Sequence, residues 1–344
     1  MNNTIQPSFA IILSDSRSGS TFLSSLLNQY DGLRMSLESG FPRLLIEWPM
    51  KIFENDEDLK KVLDLLYSEI QFQEMNVNRE ILERFLITLK KPISKKQIFD
   101  AIARIYFENN ATKELDSKCT YILKIPVAYQ FLDALQTLIP GFKIIHLIRD
   151  GRAVFASKRN SISLKGEPFE KNLLVAVAGW KKKQRLAAIK HPENIRYEDL
   201  VTGTETAMHS LLDYLNVDAT ARMKTRQAVD YANSIGEKQK TFHTNVGKVP
   251  QKSSINKWVS DLTSTEIFLY EWIAFKELKK YGYRIYEFDN ASLKKYLKAS
   301  FLYVYFIFHY IADRTKNFYR AILKGQHRIL IRKKLIQVGI LQPQ

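Results

Sequence analysis

Residues 9–27 run from an apolar stretch, FAIIL, through a polar turn, SDSRSGS, into TFLSSLL, and that order constrains the chain more than any other feature. Five consecutive apolar residues make a strand-length segment buried on both faces, and TFLSSLL has the length and spacing of a helix start. A short turn containing Gly19 between strand and helix leaves backbone N–H groups converging on one point. With the positive end of the helix dipole, they form an anion cradle. The hydroxyls of Ser18, Ser20 and Thr21 add donors, and Arg17 adds a permanent charge. A serine-rich turn ahead of a helix also serves as a plain N-cap, and both readings stand at this point. The common nucleoside triphosphate loop, G-x-x-x-x-G-K-[ST], is absent, because Ser14 replaces its first glycine and Ser20 its lysine. This counts against Mg²⁺-dependent kinase chemistry.

A second strand–turn–helix unit lies at residues 143–157, KIIHLI followed by RDGRAVFAS. The Asp150-Gly151 turn opens a helix and leaves Arg149 at the carboxyl end of a strand. Ser157 is two helical turns further on, so the two side chains are able to share one anion. In open α/β sheets ligands bind beyond the carboxyl ends of strands, which directs both loops to one crevice. His146, mid-strand among Ile and Leu, reads as a core residue. Strands and helices alternate without internal repeats, which predicts an α/β fold with a parallel sheet of P-loop type over residues 1–290. A helical insert at 57–109 separates the two loops.

Together the two loops, in this order, resemble the 5′-phosphosulfate loop (SRSGSTFLSSLL) and the 3′-phosphate motif (RDGRAVFAS) of sulfotransferases that use 3′-phosphoadenosine 5′-phosphosulfate (PAPS). The resemblance extends through IRYEDLV and VGKVPQKSSINKWV and covers roughly residues 8 to 285. Its nearest look is the tyrosylprotein sulfotransferase-like branch and its bacterial relatives, which also carry arginine in the first loop. It implies that Arg17, Ser18, Gly19, Ser20 and Thr21 hold the 5′-phosphosulfate, with Arg17 neutralising the leaving phosphate. It implies that Arg149 and Ser157 hold the 3′-phosphate, that Tyr197 lies near the adenine, and that Lys257 adds a phosphate contact. Glu38 in SLESGFPRLL matches the general base, and Lys124 in YILKIP matches the lysine on the transferring sulfonate. The implied reaction moves a sulfonate from PAPS to an acceptor hydroxyl without a metal, and no His/Cys/Asp cluster has metal-ligand spacing. Two positions depart from the branch. Phe242 stands where it places a catalytic serine, with Thr241 and Thr244 the nearest hydroxyls and His243 beside them. Ser161 stands where it places a basic residue, with Arg159 close by. The expected acceptor is a saccharide, a glycolipid or a small metabolite, with protein tyrosine as the alternative.

Lys and Arg number 52 against 36 Asp and Glu, a net charge of +16, which favours a polyanionic partner. The excess is concentrated. Residues 291–344 hold eleven basic residues and one acid, Asp313. Within this extension, residues 299–312 (ASFLYVYFIFHYIA) fall short of the about 20 residues a spanning helix needs. Lys316, Arg320, Lys324, Arg328 and Arg332 then recur every four residues along one helix face. An amphipathic helix on an anionic membrane surface and a pair of helices packed on the domain both fit this pattern. A non-catalytic basic protein binding membrane or nucleic acid would explain the extension but not the two loops, so no nucleic-acid partner is expected. The single Cys119 allows no internal disulfide, and the amino end lacks a basic start and a long apolar run. The expectation is a cytoplasmic protein, peripheral on the membrane if the extension binds there.

Overall fold

The computed structural model describes residues 7–162, 166–218, 220, 252–289 and 291–323, with backbone alone for residues 254 and 316–323. Thr241, Thr244, Phe242, His243 and the basic positions from Lys324 onward lie outside the described residues. Two compact units divide the chain, Met1–Arg149 with Lys183–Asn256, and Asp150–Lys182 with Lys257–Gln344.

The first unit is built on five strands: β1 (Ser8–Ser14), β2 (Leu33–Glu38), β5 (Thr120–Lys124), β6 (Lys143–Ile148) and β7 (Glu193–Arg196), in the order β2-β5-β1-β6-β7. Every pair is parallel. Ala10 to Leu13 are at most 2% exposed. An inner strand covered on both faces has no use for alternation, so β1 reads as an unbroken apolar run. Parallel neighbours need crossovers, and α1 (Ser20–Leu27) carries the chain from β1 over to β2. β5 and β2 lie on one side of β1, β6 and β7 on the other, so the direction of winding reverses at β1. Strand loops diverge at such a switch point and leave a crevice.

Between β2 and β5 come α2 (Phe41–Glu47), α3 (Asp56–Ser68), α4 (Ile70–Glu74), α5 (Arg79–Thr88) and α6 (Lys95–Glu108). A two-stranded antiparallel ribbon, β3 (Ile52–Phe53) with β4 (Ile93–Ser94), interrupts them. Their starts follow local chemistry. Asn55 and Asn78 accept from the N–H of Asp58 and Ile81, and Ser94 with Gln97 forms a reciprocal capping box. Phe41 stacks on Phe99 and meets Phe72 at a tilt, at 5.6 and 5.8 Å between ring centroids, tying these helices into the sheet core. α7 (Leu132–Leu138) connects β5 to β6, and α10 (Tyr197–Thr202) and α11 (Thr204–Leu215) follow β7. His146 is fully buried, its Nδ1 2.9 Å from Asn194 Oδ1, as a core histidine should be.

The second unit is helical: α8 (Gly151–Asn160), the first part of α9 (Leu173–Ala188), α12 (Trp258–Asp261), α13 (Ser264–Lys280) and α14 (Leu293–Leu323). Its centre is ionic as well as apolar. Arg152, 1% exposed, donates to Asp150 through Nη2 at 2.7 Å and to Glu271, and its guanidinium lies 4.1 Å from the Trp258 ring centroid. Glu271, fully buried in α13, also accepts the backbone N–H groups of Tyr286, Glu287 and Phe288. Burial works against the charge on Arg152, but Asp150 and Glu271 outweigh it and raise its pKa above the ordinary value. Among the described residues no helix is long and apolar enough to cross a membrane.

Candidate active site

In the first unit, each of the five parallel strands ends at a residue that the sequence singles out, or lies within three residues of one. Arg17 follows β1, Glu38 closes β2, Lys124 closes β5, Arg149 follows β6 and Tyr197 follows β7. The sheet therefore carries these side chains to one edge, the edge where α/β folds bind ligands.

The turn after β1 is shaped by its backbone. Arg17 has φ +70° and Gly19 φ +92°, both in the left-handed region that costs an ordinary residue about 1–2 kcal/mol. Glycine is needed at position 19 for a second reason. A Cβ there would lie within 2.6 Å of Tyr197 Cε2. The tight path is closed by Ser18 N–H donating to the Asp15 carbonyl at 3.2 Å. Asp15, 3% exposed, is neutralised by an ion pair with Lys183. α1 then begins at Gly19 with no side-chain cap and no acidic residue in its first turn, which leaves its positive end to an outside anion. The contrast with α8 is instructive. There Asp150 accepts the Arg152 N–H at 2.9 Å and caps the helix itself, so what the second loop offers a ligand is side chains.

Arg149 and Arg17 meet at this turn. Arg149 Nη1 donates to the Arg17 carbonyl at 2.9 Å, and its guanidinium stands 4.4 Å from the Tyr197 ring centroid. Tyr197 is 6% exposed, clasped between Gly19 and Arg149. The Arg17 pKa is lowered, first by burial and second by the positive charge of Arg149. A phosphate or sulfonate arriving between these groups would offset both effects with its opposite charge. A left-handed glycine, an uncapped helix start and a half-buried guanidinium at Arg17 suit a phosphate- or sulfonate-bearing ligand.

On the other side of β1, Lys124 and Glu38 are register partners across β2 and β5, and an irregularity between Met35 and Glu38 adjusts the strand just before the acid. Lys124 Nζ lies 2.9 Å from Glu38 Oε2 and 3.2 Å from Thr21 Oγ1. The lysine side chain is 9% exposed and the glutamate 29%. A buried ammonium thus joins a carboxylate open to the crevice to the first turn of α1. Ser36 Oγ receives the Lys124 N–H at 3.1 Å and the Lys124 carbonyl receives the Ser39 N–H at 3.2 Å, which holds the strand end from both sides. Past Glu38, Gly40 starts α2 with the Glu69 carboxylate against it, and burial pushes Glu69 up from the usual carboxylate range.

The remaining assigned residues belong to the second unit. Ser157 lies half-buried on α8, and Lys257 is the exposed N-cap residue of α12. Arg159 is occupied by Glu266 at 2.7 Å and by the Asp261 carbonyl. Sequence reasoning passed over Arg152, Glu271 and the Asp15–Lys183 pair. Glu271 did carry a signal, since it is the one acid in the run IFLYEWIAF, and such an acid is buried only with partners. Among the described residues no group of three or more His, Cys, Asp and Glu is placed to hold a metal ion.

A family model described as the sulfotransferase family matches residues 10–221. The chain belongs to that family. No curated protein matches the sequence. Among solved structures, the sulfotransferase domain of the Synechococcus PCC 7002 olefin synthase is similar at 20% identity, with a TM-score of 0.53 over 82% of this chain and 97% of that one. The sulfotransferase domain from the curacin biosynthetic pathway is similar at 19% identity, with a TM-score of 0.52 over 81% and 99%. At these identities the likeness establishes the shared α/β fold.

Proposed function

We propose that this sulfotransferase moves the sulfonate of PAPS to the hydroxyl of a saccharide, glycolipid or small-metabolite acceptor. The observation that carries the reading is Lys124 Nζ set between Glu38 Oε2 and Thr21 Oγ1, at 2.9 and 3.2 Å. That arrangement supports a reading in which Glu38 is a proton acceptor and Lys124 a fixed cation beside an anion-binding turn.

PAPS supplies an electrophilic sulfur whose bond to a phosphate oxygen breaks as the acceptor oxygen bonds to it. Arg17 and the N–H groups opening α1 stabilise the negative charge that grows on the departing phosphate, and removal of one such donor costs about 10²–10³ in rate. Glu38 takes the acceptor's proton, a role worth about 10²–10⁴. Lys124 keeps the Glu38 carboxylate oriented and presents its ammonium to the oxygens in transit. Arg149, assisted by Ser157, binds the 3′-phosphate. Tyr197 holds the turn in shape through Gly19.

Isothermal titration with the product, 3′-phosphoadenosine 5′-phosphate, in metal-free buffer tests the donor half of this reading. Binding is expected for the wild-type chain and is expected to weaken at least about 100-fold in an Arg149→Ala, Ser157→Ala double variant, since two charge-assisted contacts are lost. Absence of binding by the folded wild-type protein would overturn it.

A further inference from the structure

The long helix α14 has two faces. Toward α13 it turns Tyr296, whose ring lies 5.0 Å from Phe268 and 5.6 Å from Trp272. Ala299 and Phe306 on this side are 0% and 7% exposed, and the Phe306 carbonyl accepts from Asn172 Nδ2 at 2.8 Å. The opposite side carries large apolar residues in the open: Leu297, Phe301, Val304, Phe308 and Ile311 are 56, 77, 48, 68 and 51% exposed. Their spacing of four, three, four and three residues lines them into one ridge on a single helix face. A ridge of this length is more than the isolated exposed side chains any protein shows.

Charge identifies its occupant. Lys294 and Lys298, both exposed, border the ridge. The chain beyond the described helix, residues 324–344, adds five more cations and no acid. A second copy of α14 laid against this ridge would bring two strongly basic segments together, and the same repulsion opposes coverage by residues 324–344. Nucleic acid would satisfy the cations and leave the ridge in water. An anionic bilayer surface accepts both at once, with apolar and aromatic groups entering at headgroup depth and lysines remaining among the phosphates.

We infer that α14 is a membrane-surface helix that lies in the interface of an anionic bilayer, with the ridge from Leu297 to Ile311 inserted. This inference is independent of the sulfonate-transfer reading, because no residue of the candidate active site takes part in it.

Flotation of the full chain with phosphatidylcholine vesicles, with and without phosphatidylglycerol, tests it. Binding is expected only when phosphatidylglycerol is present. It should fall at least about tenfold in a Phe301→Ser, Phe308→Ser variant, which removes interfacial apolar area, and also in a Lys294→Glu, Lys298→Glu variant. All four positions are exposed, so both variants should keep the wild-type melting temperature and 3′-phosphoadenosine 5′-phosphate binding. No vesicle binding by the wild type, equal binding without phosphatidylglycerol, or undiminished binding by the serine variant would each overturn the inference. A wild-type dimer that the serine substitutions dissociate, with no vesicle binding, would assign the ridge to a second copy instead.

Discussion

Glu38 and Lys124 are 86 positions apart in sequence, yet their side chains meet at 2.9 Å. The acid is the partly open member of the pair and the lysine the buried one, which suits a base that must reach an incoming hydroxyl and a cation that must not wander. On the proposed assignment, Glu38→Gln keeps the size of the side chain and its contact with Lys124 but removes the proton acceptor. Turnover is expected to fall by about 10²–10⁴, with unchanged affinity for 3′-phosphoadenosine 5′-phosphate by titration. A variant of near-normal turnover would transfer the base role elsewhere. Gly19 is constrained just as tightly, by its left-handed φ and by the Tyr197 ring beside it.

At the scale of elements, α8 and α13 are joined by a buried ionic network. In the motif RDGR, Arg149 faces the turn after β1, while Arg152 points into the second unit and locks α8 to α13 through Glu271. Glu271 in turn gathers three consecutive N–H groups of the segment after α13. Glu271→Ala would take one of the two carboxylate partners from the buried Arg152, leaving Asp150, and would orphan those N–H groups, so a loss of about 3–5 kcal/mol is expected. Denaturant unfolding followed by far-ultraviolet circular dichroism would measure it, and a change below about 1 kcal/mol, the scale of a surface pair, would contradict the network. Gly151 has its own reason in this packing. A Cβ there would lie within 2.8 Å of Trp180 Cδ2, against Tyr270 as well.

For the whole molecule, stability should respond to pH through Glu69. Burial raises its folded pKa above the unfolded value, with Arg43 and the Gly40 N–H pulling the other way. The folded state thus holds this proton more tightly. Its contribution is fully present below the unfolded carboxylate pKa and is lost as pH rises through the folded one. Glu69→Gln removes that loss, so its melting temperature relative to wild type should be higher at neutral pH than at acidic pH. An equal difference at both would show that Glu69 does not titrate across this range. The net charge of +16 is a second whole-molecule property. Because +10 of it lies in the last 54 residues, it bears on what α14 meets more than on how the sheet folds.

Local patterns in the sequence determined β1, β6, the two loops, the starts of α1 and α8 and the burial of His146. Each depends on near neighbours: apolar runs of strand length, a glycine at a left-handed turn, an aspartate before a helix. Glu38 and Lys124 were visible only through a family resemblance, since no local signal ties the end of an edge strand to that of its neighbour. Parallel pairing of β2 with β5 was needed to bring them within hydrogen-bond reach. The tertiary structure alone decided the fate of Arg152, because a guanidinium looks the same in sequence whether it awaits a phosphate or is neutralised by a glutamate 119 positions away. It also decided which side of α14 is covered. Both faces of that helix are apolar in sequence, and only packing against α13 distinguishes the buried one from the ridge left in solvent.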